Sequence, residues 1–392
     1  MKRLVLDIET NSTASHIWLA VTQDLDTKEI KVWKAATDAL SQYLKDADTI
    51  VMHNGIAFDA PILNRLWKTK ISLNQCMDTL ILSRLLNPIR EEGHSLDSWG
   101  NRLGLNKIDY SSIWSWMTGK FYDKKAYPGQ PFDEPEMGLL EYYCIRDVQL
   151  TGKLYEHLVA EQTKSKTSAE ALTLEMQAQS IISVQERNGF KLDIPYAMQL
   201  LSEIKGKMST IESQMESVFP TIVRERFSEK TGKRLKDEVI TFNPGSRKQI
   251  HERLEEKYGW KAEKVTEKGT PIVDEEVLSK LQYPEAKFLA QYFMLQKRAS
   301  MLDSWLEKVA NDGRVHGKVI TIGAVTGRCT HSDPNMAQVP AVRAEYGKEF
   351  RSCWIVDPGN VLVGTDLAGI ELRCFAHYLN DDEYTNEVVN GD

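Results

Sequence analysis

KRLVLDIET, residues 2–10, is a run of strand-forming residues that carries two acids, Asp7 and Glu9. Strand side chains alternate between the two faces, so both carboxylates project from one face near the strand's C-terminal end. Open α/β sheets place their sites at that end. Three more short runs rich in β-branched and aromatic residues follow, IWLAVT (17–22), IKVWKA (30–35) and TIVMH (49–53), and read as strands of the same sheet. Helical patterns at 37–46, 58–69, 78–87 and 139–158 cover it, so residues 1–165 are expected to form an α/β unit.

The chain has 392 residues, 42% hydrophobic and 27% charged, which suits several globular domains with true cores and excludes a disordered or fibrous protein. Lys and Arg total 49 against 56 Asp and Glu, a formal charge of −7, so any grip on nucleic acid must come from local basic patches. Cys76, Cys144, Cys329, Cys353 and Cys374 form no CxxC pair, which argues against structural zinc and suits a reducing compartment. No apolar run is long enough for a signal peptide or membrane span, so a cytoplasmic location is expected.

The polar stretch TKSKTSAEA (163–171) reads as the first boundary. A helix follows around 174–185 with Gly189 as its C-cap, and a second begins after Pro195 and runs to about Val218. The densely charged 224–238 reads as a mobile excursion, with helical patterns resuming at 246–258 and 275–311. VHGKVITIG (315–323) and NVLVGTD (360–366) read as strands, and GIELRCFAHYLN (369–380) as a helix.

Further acids gather with the first pair. In HNGIAFDAPIL (53–63), Asp59 follows a strand and heads a helix; in YYCIRD (142–147), Tyr143 and Asp147 share a helix face four apart. Converging acids repel unless divalent cations neutralise them, and carboxylate oxygens suit Mg²⁺ or Mn²⁺. Two such ions about 3.5–4 Å apart can activate a water and stabilise the leaving oxygen of a phosphodiester. An Asp at a helix start is by itself an N-cap; the ordered set carries the reading.

DIE (7–9), HNG with FD (53–59) and YCIRD (143–147) resemble the three motifs of the DEDDy 3′→5′ proofreading exonucleases. DTLILSRLL (78–86) and GHSLDSWGNRLG (93–104) resemble the matching segments of the family A DNA polymerases of T-odd phages. The resemblance implies a ribonuclease-H-like α/β exonuclease domain, then a mostly helical thumb and a partial α+β palm of a right-hand polymerase. It divides the chain into 1–165 exonuclease, 166–195 start of palm, 196–312 thumb and 313–392 partial palm. Asp7, Glu9, Asp59 and Asp147 would hold the metals, with Tyr143 orienting the water.

FNPGSRKQI (242–250) resembles the thumb motif that grips duplex phosphates, bringing Asn243, Ser246 and Arg247 to DNA; YFMLQKRASML (292–302) adds Lys297 and Arg298. VTGRCTHSDPNMAQVP (325–340) resembles the segment that contacts primer and template, with Arg328 and Gln338 on DNA. TDLAGIELR (365–373) resembles polymerase motif A, in which Asp366 and the Leu367 carbonyl would bind Mg²⁺ and Glu371 would gate against the ribose 2′-hydroxyl.

The pattern departs from the family in two places. The chain ends at EVVNGD (387–392), before the later polymerase motifs, and the expectation is a second polypeptide that supplies them; the alternatives are a stand-alone single-strand exonuclease with a vestigial polymerase domain and a shortened single-chain polymerase. Only 20 residues separate FPT (219–221) from FNPGSR, a loop-scale spacing that argues against a thioredoxin-binding insertion. Within it, Arg224, Arg226, Lys230, Lys233, Arg234 and Lys236 outnumber Glu225, Glu229, Asp237 and Glu238, leaving a local basic excess for phosphates.

Overall fold

The computed structural model describes residues 1–391 apart from Glu229 and Lys268, so Glu229 lies outside the described residues. By its contacts the chain divides into two compact units, one of residues 1–189 and 300–339, the other of 190–299 and 340–392.

The first unit is built on a five-stranded mixed sheet. β1 (Arg3–Thr10) pairs antiparallel with β2 (Ile17–Asp24), which pairs antiparallel with β3 (Ile30–Trp33). After α1 (Asp38–Lys45), β4 (Thr49–Met52) lies parallel to β1 on its other side. α2 (Asp59–Leu66) then leads to β5 (Cys76–Asp78), parallel to β4, giving the order β3-β2-β1-β4-β5. The predicted strands and helices of this region are all present, whereas β5 escaped prediction because three residues carry too little pattern to read.

Both faces of the sheet are covered, which the alternation of β1 explains. Leu4, Leu6 and Ile8 point to one core with Ile50, Met52, Leu40 and Leu44, while Val5 points to the other with Leu19, Val21 and Val51. The second face is closed by α5 (Tyr110–Thr118), which follows α3 (Thr79–Leu86) and α4 (Leu96–Leu103), and by α7 (Met137–Ser165), which follows the short α6 (Gln130–Asp133). Asp7 and Glu9 share the face of Val5, so they point at α7. A Cβ on Gly152 of α7 would lie 3.3 Å from Leu25 and 3.4 Å from Val5, so this glycine lets the helix settle close on the sheet. Within residues 163–171 the turn is confined to 166–168: Lys166 takes a left-handed conformation after α7, and Ser168 caps α8 (Ala169–Asn188) through the amide of Ala171. Gly189, at φ +61°, ends α8 as expected.

Elsewhere three expectations are corrected. Residues 224–238 lie between helices as expected but carry unexpected order: Ile222–Arg224 pairs antiparallel with Glu238–Ile240, and Phe227 bridges to Arg234, whose guanidinium ties Glu225 and Asp237 together. Dense charge hid the strand alternation. The single helix read at 275–311 is two, Glu275–Lys280 and Pro284–Glu307, because proline can start a helix but disfavours helical backbone in the residue before it. NVLVGTD (360–366) is no strand. It makes no ladder, and Val361 and Val363 are 81% and 80% exposed; a strand exists by pairing, and the described residues offer this segment no partner. VHGKVITIG contributes two short strands, Arg314–Val315 and Lys318–Ile320, the second paired with Thr330–Ser332, so that TGR (326–328) forms a hairpin tip with Gly327 at φ +81°. Ile194–Val218, Arg247–Tyr258 and Ile370–Leu379 are helices as predicted. Among the described residues, no helix is long and apolar enough to cross a membrane.

Candidate nuclease centre and polymerase segments

β1 delivers Asp7 and Glu9 side by side, in register with Val21 and Leu19 of β2. Asp59 is the first residue of α2, and its Oδ1 accepts the amide of Ile8 at 3.1 Å, which ties the helix start to the strand. The turn leading to it is fixed from β5, since Asp78 accepts the amides of Asn54 at 2.8 Å and Ile56 at 3.1 Å. One turn apart on α7, Tyr143 and Asp147 face the same space, with Cys144 beside them donating from Sγ to Asp7 Oδ2 at 3.4 Å. Asp7, Glu9, Asp59, Tyr143 and Asp147 thus line one cleft. Glu9, Asp59 and Asp147 are buried. Tyr143 packs against Tyr110 and Phe132, with ring centroids 5.3 and 6.4 Å away.

Burial and mutual repulsion dominate the electrostatics. Burial and then the charge of Asp147 push Asp7 up to about 7, against the opposing pull of Lys107 and of the Cys144 hydrogen bond. Glu9 is held well above the usual carboxylate range by burial and then by Asp7; Asp59 likewise by burial and then Asp7; Asp147 is raised by burial. Tyr143 is raised by burial and by Asp147, so it keeps its proton. His53, at the cleft wall, is pushed down to about 3 by burial and then by Lys107, which leaves it neutral, with Nδ1 2.8 Å from Thr79 Oγ1.

Sequence reasoning missed Lys107. Its Nζ donates to Asp147 Oδ2 at 2.5 Å and sits 4.8 Å from the centre of the Tyr143 ring. Burial alone would lower it, but Asp147 and Tyr143 outweigh that and hold it above its ordinary value. It lies in the irregular stretch before α5, where no periodicity points at the cleft. One ammonium thus sits among the converging acids.

The donor set fits a divalent cation. Asp147 Oδ1 is buried without a hydrogen-bond partner, and ligand atoms of Asp7, Glu9 and Cys144 lie within 4.8 Å of one another. Hard carboxylate oxygens dominate, which favours Mg²⁺ or Mn²⁺.

The other expected positions lie outside this cleft. In the second unit, Ser246 caps Arg247–Tyr258, its Oγ accepting the amide of Gln249 at 3.4 Å, and Asn243 Oδ1 accepts the amide of Gly245 at 2.8 Å. A Cβ on Gly245 would come 2.9 Å from Gln296 Nε2, which places this turn beside the helix that carries Lys297. Asn243, Arg247 and Lys297 are exposed. Arg298 is turned inward: its guanidinium lies 5.8 Å from the Phe350 ring centre and its Nε is buried without a hydrogen-bond partner. In the first unit Arg328 is at the hairpin tip and Gln338 is exposed. Asp366 and Leu367 lie in the exposed segment that forms no strand, and Glu371 sits in the first turn of Ile370–Leu379. Asp366 therefore does not end a paired strand as expected.

Residues 4–159 match the ribonuclease H superfamily profile, and residues 212–392 match that of DNA polymerase family A. The DNA-directed DNA polymerase of Escherichia phage T7 is 30% identical over 511 aligned positions, which take in 99% of this chain and 71% of the phage protein. The chain belongs to the family A DNA polymerases. The enzyme of Enterobacteria phage T3 matches to the same extent, at 30% identity over 71% of its length. DNA polymerase I of Pseudomonas aeruginosa is 26% identical over 94% of this family A chain and 37% of its own. In fold, the chain resembles the polymerase domain of Pol1 from M. smegmatis, solved in complex with DNA primer-template and dNTP, with a TM-score of 0.70 at 18% identity. That match covers 99% of this chain and 61% of the other, so the family A chain spans less than two thirds of the solved domain.

Proposed function

We propose that this chain is the 3′→5′ proofreading exonuclease and primer-template-binding part of a DNA-directed DNA polymerase. The carrying observation is the single cleft in which Asp7, Glu9, Asp59, Tyr143 and Asp147 meet. Asp7, Glu9, Asp59 and Asp147 would hold Mg²⁺ or Mn²⁺, which when bound supplies an activated water and charge stabilisation at the leaving oxygen. The chain's own groups do the rest. Tyr143 keeps its proton and has a hydroxyl to orient the attacking water, while Phe58, 40% exposed at the cleft, and Phe132 offer faces for an unpaired base. An acidic cleft with aromatic faces for unpaired bases suits a single-stranded 3′ end.

Exposed Arg247 and Lys297, with Asn243 and Ser246, are the duplex-phosphate contacts in this reading, and Arg328 and Gln338 the contacts near the primer end. Arg298 serves instead to support that surface from within. Asp366 and the Leu367 carbonyl would hold the polymerase Mg²⁺ and Glu371 would gate the ribose, once the exposed apolar face of Val361, Leu362, Val363, Leu372 and Phe375 is covered. In this account the part of the polymerase that bears the later motifs covers that face and completes dNTP incorporation.

The test is a single-stranded DNA labelled at its 5′ end, incubated with the purified chain and Mg²⁺. A descending ladder from the 3′ end is the expected result. An intact substrate, or products released first from the 5′ end, would overturn the exonuclease assignment.

A further inference from the structure

Lys107 is the cation whose charge acts on Asp7, Glu9 and Asp147 alike, and the exonuclease chemistry proposed above makes no use of it. Its side chain is 20% exposed, and it reaches Asp147 Oδ2 at 2.5 Å while Asp147 Oδ1 stays buried without a hydrogen-bond partner. The same ammonium lies 4.8 Å from the Tyr143 ring centre, so one nitrogen touches both α7 side chains that face the cleft. Buried acids stay together only by keeping protons or by meeting a compensating charge, and the Lys107 ammonium in contact with Asp147 is such a charge. A divalent cation entering the cleft then meets Asp147 with one oxygen already taken.

We propose that Lys107 is a positioning residue that acts as the built-in counter-cation of the acid site, holding Asp147 and Tyr143 in place until a divalent cation displaces it from Asp147. The inference rests on the metal-site reading above. Two consequences follow with opposite signs. Without Lys107 the metal-free fold is less stable, because buried Asp147 loses its ion-pair partner; an entering cation binds more tightly, because it no longer competes with an ammonium. A lysine that merely packed on Tyr143 would give the first effect without the second.

Thermal unfolding of wild type, Lys107→Met and Lys107→Arg in EDTA and across a MnCl₂ titration separates these cases. Lys107→Met should melt below wild type in EDTA and reach half of its Mn²⁺-induced upshift at least about 3-fold lower Mn²⁺, with Lys107→Arg close to wild type. An unchanged or higher Mn²⁺ midpoint in Lys107→Met overturns the proposal, as does the absence of any Mn²⁺ effect in both proteins. Should Lys107→Met not fold, amine acylation of the wild type read by peptide mass spectrometry decides instead: labelling of Lys107 should rise several-fold on adding Mn²⁺ while exposed lysines stay constant, and no rise counts against displacement. Degradation of single-stranded DNA by wild type in the same Mn²⁺ series keeps the two readings apart. Degradation without competition sinks the role of Lys107 alone; competition without degradation supports Lys107 and sinks the exonuclease.

Discussion

Asp59 and Asp366 both close a short apolar stretch and stand just before or at the start of a helix, yet one is 4% exposed in a cleft and the other lies open to solvent. β4, ahead of Asp59, is paired on both sides, and Asp78 fixes the turn between them. The stretch ahead of Asp366 has no ladder, and Leu367 beside it is 64% exposed. An acid becomes part of a site only where the backbone that carries it is itself satisfied. A motif gives the chemistry of its side chains, whereas pairing decides whether they are held.

This contrast can be broken most sharply through activity. Replacing Asp7 and Glu9 together by Ala should lower single-strand degradation by at least about 10³-fold, while Asp366→Ala leaves it unchanged. Equal losses in the two variants, read by initial rates on a labelled oligonucleotide, would show that the two regions act as one site. Stability should divide the regions next. Trp99 is 2% exposed, donates its indole N–H to Ser83 Oγ at 3.1 Å and has the Arg90 and Arg102 guanidinium groups each 4.8 Å from its ring centre. Trp99→Ala should cost about 3–5 kcal/mol in denaturant unfolding. Phe375, 54% exposed, should change stability by less than about 0.5 kcal/mol when replaced by Ala.

The metal-free cleft should also respond to pH. Asp7 is raised to about 7 by burial and by Asp147, so the folded chain binds its proton more tightly than the unfolded chain, whose carboxyl titrates near its ordinary value of 3.8. The stability this contributes is fully present below the ordinary carboxylate range and is lost as pH rises through about 7. In EDTA, melting of the first unit should therefore fall between about pH 5 and about pH 8. Asp7→Asn should flatten that fall, and a fall of the same size in the variant would show that another group carries it.

Most of the cleft was legible from the chain. Alternation in KRLVLDIET put Asp7 and Glu9 on one face, and helical spacing put Tyr143 and Asp147 on another; the fold brings the two faces together. Lys107 was not legible, because a side chain arriving from irregular backbone carries no periodic signature. The strand expected at 360–366 was misread for a related reason: apolar, β-branched composition records a readiness to pair, and the partner is a property of the whole fold. The apolar periodicity of 275–311 runs on across Pro284 and hides the break there, and charge in 224–238 masks a small ribbon whose strands pair outside the core.

The central claim is that the acids on β1, α2 and α7 form a divalent-cation site and that the motif around Asp366 does not form one by itself. Direct Mn²⁺ binding, measured by the loss of the free-ion paramagnetic resonance signal at pH 8, tests it in wild type, the Asp7→Ala/Glu9→Ala double variant and Asp366→Ala. Wild type and Asp366→Ala should each take up about two Mn²⁺ per chain, and the double variant should take up none. Undiminished binding in the double variant, or its loss in Asp366→Ala, would contradict the account.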